Sequence, residues 1–179
     1  MTKRIIAILV AAILLFLWQF LSWSVLNVHG SEMQYTDKQD AVLEALSQNL
    51  KEGSYFLPNL PPGSTAEQQK AYMENATGKP WATVTYHDSM SSNMGMNMFR
   101  GFAIDLLAVF LLIWILGKMG NPSFQTILLS SLAVGFIGYL TIPYMNTIWF
   151  ETSSLGHLID AVVQWGLVGV WLGWYLNRK

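Results

Sequence analysis

Four long apolar stretches divide the chain. They are Ile5–Leu26, Phe102–Leu116, Phe124–Ile142 and Leu158–Leu176. About 20 apolar residues in a helix cross the roughly 30 Å hydrocarbon core of a bilayer. The pattern therefore predicts four transmembrane helices. We place the last three over residues 100–117, 124–142 and 157–176.

The first stretch follows two basic residues, Lys3 and Arg4, as the apolar region of a secretory signal peptide does. Two features argue against cleavage. The stretch is longer than such a region, and Trp18-Gln19-Phe20 stands where a cleavage site needs small residues. We expect an uncleaved signal anchor.

The segment between the first two stretches is polar. Thr36–Gln39 has the form of a capping box before a first helix, with Gly53 as its stop, and Ser64–Glu67 repeats that form before a second helix that Gly78 closes. Trp81–His87 alternates polar and apolar residues, which is typical of a short strand or an extended linker. So small a structure buries too little surface for a core of its own. We expect this cap to lean on the bundle or on a partner.

Three methionines follow the cap at a spacing of four residues: Met90, Met94 and Met98. This spacing places them on one face of a helix, which we expect to begin near Asp88 or Ser89 and to continue into the second membrane span. The pattern as a whole predicts an all-α membrane protein with four transmembrane helices and a small, mostly helical extracytoplasmic cap between helices 1 and 2. We divide it into residues 1–26, 27–99 and 100–179.

Composition agrees with a membrane protein and excludes several classes of function. Only 12% of the residues are charged and 53% are apolar, whereas a soluble domain has about 25% charged residues. The net charge of −1 is not that of a nucleic-acid-binding protein. No cysteine is present, so disulfides and thiolate sites are excluded. No nucleophile, phosphate-loop or cofactor motif is present, which favours a non-enzymatic role.

The basic residues indicate the orientation. The segments 1–4, 117–123 and 177–179 carry five of the ten basic residues and no acidic residue. Short loops rich in Lys and Arg face the cytoplasm. We therefore expect both termini in the cytoplasm, and the cap in the periplasm of a bacterium whose inner membrane holds the four spans.

All three histidines fall near the outer ends of the predicted spans: His29, His87 and His157. With Asp160, which shares a helical face with His157, they form a candidate site for zinc, copper or iron. The alternative is a set of interfacial side chains satisfied by water, backbone or one another. His87 with Met90 and Met94 is a second candidate, for copper(I), because thioether sulfur is a soft ligand; the alternative is a methionine packing seam.

Polar residues inside the spans predict a buried clamp between helices. The candidates are Arg100, Asp105, Asp160 and Gln164. Arg100 lies about 140° around the helix from Asp105, so we expect it to pair across the bundle with Asp160 or Glu151.

Small residues predict a close helix contact. Gly166, Gly169 and Gly173 lie on the face of the fourth span opposite its polar residues, and Ser131, Gly135 and Gly138 form a matching seam on the third span. One face of the fourth span then packs inside the bundle. The other is free for a neighbouring subunit or is also used internally.

Several short runs, in this order, resemble an uncharacterised family of small bacterial membrane proteins. These are Trp18-Gln19-Phe20-Leu21-Ser22-Trp23, Gly53-Ser54-Tyr55-Phe56-Leu57-Pro58, Tyr86-His87, Asn97-Met98-Phe99-Arg100-Gly101 and His157-Leu158-Ile159-Asp160. The resemblance implies a four-span inner-membrane protein. It implies no activity, substrate or catalytic residue.

Three functions remain open from the sequence. The first is a non-enzymatic accessory, assembly or stabilising subunit of a larger inner-membrane complex, without a cofactor, whose partners are the bilayer and other membrane subunits or a second copy. The second is a copper- or zinc-binding membrane protein that uses the histidines, Asp160 and the methionines. The third is a haem or quinone site between the spans at His157.

Overall fold

The computed structural model describes residues 2–178, and the chain is mostly helical (68%). Four helical segments are long and apolar enough to cross a membrane: Thr2–Val25, Met94–Met119, Phe124–Phe150 and Leu155–Asn177. The chain is therefore that of a multi-pass membrane protein in a lipid bilayer.

The helices and strands follow one another in a simple order. They are α1 (Thr2–Phe20), α2 (Gln39–Asn49), β1 (Gly53–Leu57), α3 (Ala66–Ala76), β2 (Ala82–Tyr86), α4 (Met94–Leu116), α5 (Phe124–Thr141), α6 (Pro143–Phe150) and α7 (Leu155–Asn177). A π-helical turn, Leu21–Val25, extends α1, and a 3₁₀ turn, Gly117–Met119, ends α4. The short helix α6 was not predicted; Pro143 occupies its first turn, a position that proline favours.

The second span begins later than its methionine spacing predicted. Helix α4 starts at Met94 because the side chain of Asn93 accepts a hydrogen bond from the Met96 N–H at 3.2 Å and so caps the helix. Asp88 and Ser89 lie before the helix, so the expected start there is wrong.

The chain forms two compact units. One contains residues 2–34 and 93–178 and holds all four long helices; the other contains residues 35–92. Residues 27–34, which the sequence had placed in the cap, belong to the bundle unit.

The bundle core is apolar and built around α7, which contacts both α1 and α5. Ala7, Ala11 and Ala12 are fully buried, and such small side chains allow neighbouring helices to approach α1 closely. The largest fully buried apolar side chains are Leu15, Val109, Leu112, Leu116, Ile127, Val168 and Leu172.

The glycine face of α7 packs against α5. A Cβ added at Gly169 would lie 3.0 Å from the Leu128 Cα, and one at Gly173 would lie 2.7 Å from the Phe124 ring. Gly135 of α5 has Trp165 packed directly on it, whereas a Cβ added at Gly138 would meet nothing within 4 Å. Ser131 is buried in the same contact, and Gly166 lies more loosely against Leu132. The glycine face is therefore used inside the chain.

The second unit combines two short helices with a strand pair. β1 and β2 are antiparallel, with Gly53 opposite Tyr86 and Leu57 opposite Ala82. The predicted all-α class is therefore wrong for this unit. The alternating pattern of Trp81–His87 did indicate a strand, β2, but its partner β1 was not predicted. No residue of the unit is buried.

The two predicted capping boxes have different outcomes. The second exists one residue later than expected, because Thr65 and Gln68 bond reciprocally at the start of α3. The first is absent: α2 begins at Gln39, and the Thr36 hydroxyl instead accepts a bond from the Lys38 N–H at 3.2 Å.

Candidate metal site at the α1–α7 junction

The chain leaves α1 through an unusual turn. The Leu26 N–H donates to the Leu21 carbonyl at 2.8 Å, a π-helical bond, and Asn27 has a positive φ of 50°. The Glu32 N–H then donates to the His29 carbonyl at 2.9 Å. This turn brings His29 and Glu32 against the start of α7. We call residues 18–34 and 153–164 the α1–α7 junction.

Asp160 is the centre of the hydrogen bonding in the junction. Its Oδ1 accepts from Trp18 Nε1 at 2.8 Å and from Ser22 Oγ at 2.6 Å, and its Oδ2 lies 2.9 Å from His29 Nε2. The residue is only 7% exposed. These three contacts fix the orientation of the buried carboxylate.

His29 lies between two carboxylates. Its Nε2 faces Asp160, and its Nδ1 lies 3.2 Å from Glu32 Oε1. The other oxygen of Glu32 lies 3.0 Å from His157 Nε2. Glu32 thus joins the two imidazoles, whose ring centroids are 4.9 Å apart.

Aromatic and backbone packing hold the His29 ring in place. The Trp23 ring stacks on it at 3.8 Å with an interplanar angle of 7°. On another side, a Cβ at Gly156 would lie 2.7 Å from His29 Nδ1, so only glycine fits there. The His29 side chain is 3% exposed and that of His157 is 35% exposed. Solvent therefore reaches the group from the His157 side.

The two neighbours of His29 constrain the tautomer of its ring. A neutral imidazole carries one N–H, which Asp160 accepts through Nε2, so Nδ1 would then present a lone pair to the Glu32 carboxylate. Two acceptors 3.2 Å apart repel unless a cation or a second proton lies between them. Two carboxylates converge on this buried group, so a cation bound between them would offset their charge.

The geometry suits a metal ion. One atom each from His29, Glu32 and His157 can be chosen so that all lie within 4.8 Å of one another. Ligand atoms about 2.0–2.2 Å from a tetrahedral zinc ion are about 3.3 Å apart. Here Glu32 Oε1 lies 3.2 Å from His29 Nδ1, and the other oxygen, Oε2, lies 3.0 Å from His157 Nε2. The bond from His29 to Asp160 has the form of the outer-sphere carboxylate that orients metal-binding histidines.

A second polar layer lies deeper in the bundle. Gln19 Nε2 donates to Asp105 Oδ1 at 2.9 Å, while Asp105 Oδ2 and Gln164 Oε1 are buried without a hydrogen-bond partner among the described residues. Arg100 does not belong to this layer, because its side chain is exposed on another face of α4. Its predicted burial and its pairing with Asp160 are therefore wrong; Trp18, Ser22 and His29 bond Asp160 instead.

The other predicted ligands take no part in the junction. His87 belongs to the second unit and pairs with Glu52 at 3.1 Å, and both side chains are exposed. Met90 lies before α4 and is 98% exposed, and Met94, the first residue of α4, is also exposed. The methionines therefore do not form the expected packing seam. Of the predicted site residues, the structure brings together His29, His157 and Asp160.

Sequence reasoning missed Glu32, Trp18 and Ser22. A weak signal for Glu32 exists, because it lies three residues after His29, the same spacing as that from His157 to Asp160. Trp18 and Ser22 are part of an ordinary apolar helix, and only the packing of α1 on α7 reveals their role. Comparisons with models of protein families, with curated proteins and with solved structures find no match to this chain.

Proposed function

We propose that this multi-pass membrane protein binds a divalent transition-metal ion through His29, Glu32 and His157, with Asp160 as the outer carboxylate. One observation carries the proposal: a buried imidazole faces a carboxylate at each ring nitrogen, at 2.9 and 3.2 Å. A divalent ion neutralises the two carboxylates and leaves both imidazoles neutral, the form in which histidine binds metals.

The donor set favours zinc. Imidazole nitrogen and carboxylate oxygen suit zinc, iron and copper(II), whereas copper(I) prefers thiolate or thioether sulfur. The described part of the junction, residues 18–34 and 153–164, contains no cysteine and one methionine, Met33, which is 73% exposed. Three protein ligands leave a fourth tetrahedral position, which a water or a small ligand fills in zinc sites of this kind.

We further propose that the site faces the periplasm of a bacterium, with both termini in the cytoplasm. The distribution of Lys and Arg supports this orientation. The chain has no cysteine, so single cysteines introduced at Glu74 and at Asn121 report each side separately. We expect a membrane-impermeant maleimide to label the first in intact cells and the second only after lysis; the reverse pattern would refute the orientation.

The metal proposal is tested by binding. The full chain, purified in mild detergent, is stripped with a chelator, incubated with zinc and analysed by inductively coupled plasma mass spectrometry. We expect about one zinc ion per chain, and a loss of most of it in Glu32→Gln and His157→Ala. The matched controls are Glu52→Gln and His87→Ala, which break an exposed pair of the same residue types. They should bind zinc as the wild type does.

Two outcomes would overturn the metal site. One is wild-type protein without bound zinc, iron or copper after incubation with each. The other is equal metal binding by the junction variants and the controls.

A role as an accessory subunit is a second candidate. The second unit favours it, because none of its residues is buried and Val42, Leu43 and Met73 are all about half exposed or more. The glycine face of α7 does not favour this role, because α5 covers that face and leaves no room there for a neighbouring subunit. Purification in mild detergent tests this role: a monodisperse monomer without a co-purifying protein would contradict it.

A further inference from the structure

A groove runs between α1 and α4 at the end of the bundle that contains Arg4. Its volume is about 410 Å³, and apolar side chains, including those of Ile8, Phe110 and Trp114, line most of it. Arg4 and Lys118 lie at its rim, and the Lys118 Nζ stands 5.4 Å above the Trp114 ring. The groove is thus apolar along its length and cationic at one end.

A more polar cavity adjoins the groove. It has a volume of about 460 Å³ and shares Arg4, Ile113 and Gly117 with the groove. Asn121 and Asn177 contribute amide groups to its lining. The two cavities together offer an apolar slot and a polar pocket with a guanidinium between them.

Among residues 2–178, the cations at this end form no ion pair with an acidic side chain. No acidic residue occurs in residues 1–31, 106–150 or 161–179. Lys3 donates to the carbonyls of Leu176 and Arg178, but Arg4 has no hydrogen bond or ion pair within residues 2–178. Arg4 and Lys118 are both exposed, so an anion from outside the chain can reach them.

We propose that the groove and its adjoining cavity bind one anionic phospholipid, with an acyl chain in the groove and the phosphate between Arg4 and Lys118. The ligand must be both anionic and apolar, which excludes free phosphate. A zwitterionic lipid would bring its own ammonium group close to the two cations. Basic pockets between transmembrane helices bind anionic headgroups in this way. The proposal does not depend on the metal site.

Native mass spectrometry of the full chain in detergent tests the lipid site. The added lipids are palmitoyl-oleoyl phosphatidylglycerol and palmitoyl-oleoyl phosphatidylcholine. We expect the first phosphatidylglycerol to bind selectively and its affinity to fall about fivefold in Arg4→Gln and in Lys118→Gln, and about 25-fold in the double variant. Lys118→Arg keeps the positive charge and should therefore retain most of the phosphatidylglycerol binding that Lys118→Gln loses.

The double variant Lys70→Gln/Lys79→Gln is the matched control, because it removes the same charge from exposed positions of the second unit. It should retain phosphatidylglycerol as the wild type does. Equal binding of the two lipids by the wild type would refute recognition of the charge. Displacement of phosphatidylglycerol by excess inorganic phosphate, or equal binding of a short-chain phosphatidylglycerol, would refute the role of the apolar groove. Unchanged binding by the Arg4→Gln/Lys118→Gln variant would refute the site itself.

Discussion

Asp160→Asn is the most informative single change, because it keeps the size of the side chain, replaces the carboxylate with a neutral amide and turns one hydrogen-bond acceptor into a donor. Trp18 and Ser22 both donate to Oδ1, so the amide oxygen must occupy that position and the amide nitrogen must replace Oδ2. The amide N–H then points at His29 Nε2, which lies 2.9 Å from Oδ2 in the wild type. His29 must respond by moving its proton from Nε2 to Nδ1.

This change of tautomer blocks the metal site without removing a ligand. Nδ1 faces Glu32 at 3.2 Å, and a proton there satisfies Glu32 and leaves no lone pair for a metal. Loss of an outer-sphere partner weakens metal binding about 10- to 100-fold, equivalent to about 1.4–2.8 kcal/mol. We expect the Kd for zinc of Asp160→Asn to rise by at least this factor.

The assay is a competition for zinc between the detergent-purified chain and a chromophoric chelator near neutral pH. Ser22→Ala is the control: it removes one of the two donors to Oδ1 but leaves the Oδ2 bond to His29 unchanged. We expect its zinc affinity to change only a few-fold. Wild-type affinity in Asp160→Asn would refute the tautomer argument. An equal loss in Ser22→Ala would show that the loss reflects general disorder of the junction.

Three further predictions concern the packing of His29, the contact between α5 and α7, and the cap of α3. Gly156→Ala should displace His29, since the new Cβ would lie 2.7 Å from its Nδ1, and should weaken zinc binding in the same competition assay without removing a ligand. Gly169→Ala should lower the free energy of unfolding in detergent by about 1–3 kcal/mol, because the new Cβ would lie 3.0 Å from the Leu128 backbone. Gly138→Ala is the control and should not destabilise the chain, because its Cβ would have nothing within 4 Å. Equal effects of the two changes would contradict the close contact between α5 and α7. Thr65→Ala should destabilise α3 by about 1 kcal/mol because it removes the side chain that caps the helix. Hydrogen exchange of the α3 amides should then be faster than in the wild type, and unchanged exchange would contradict the capping box.

The membrane helices could be predicted because their signal is local. A run of apolar residues needs no knowledge of its neighbours to be recognised, and the third and fourth spans, α5 and α7, end within two residues of their predicted bounds. The start of α4 was missed because Asn93 supplies a cap that competes with the methionine spacing. Strand β1 was missed because its partner residues lie 25 (Leu57 to Ala82) to 33 (Gly53 to Tyr86) residues further along the chain.

The candidate site was predictable only in part, for a related reason. His29, His157 and Asp160 are rare polar residues at the ends of apolar spans, so they stand out in the sequence. His87 stands out equally, yet it pairs with Glu52 within the second unit. Glu32 resembles any exposed acid of a polar loop until the turn after α1 brings it to His29. Which polar residues converge depends on that turn, and the sequence pattern does not determine it.

The proposed metal site draws its ligands and the groups that orient them from two different environments. The proposed ligands come from the turn after α1 and from the first turn of α7, where His157 remains accessible. The groups that orient them, Trp18 and Ser22, belong to the apolar span, where few alternative partners exist for Asp160. Hydrogen bonds to a carboxylate are strong in such surroundings, so Trp18 and Ser22 hold Asp160 in one orientation. A loop that would otherwise be free to move thus receives a rigid partner on α7, which explains how a short turn can present His29 and Glu32 in a geometry suited to a metal.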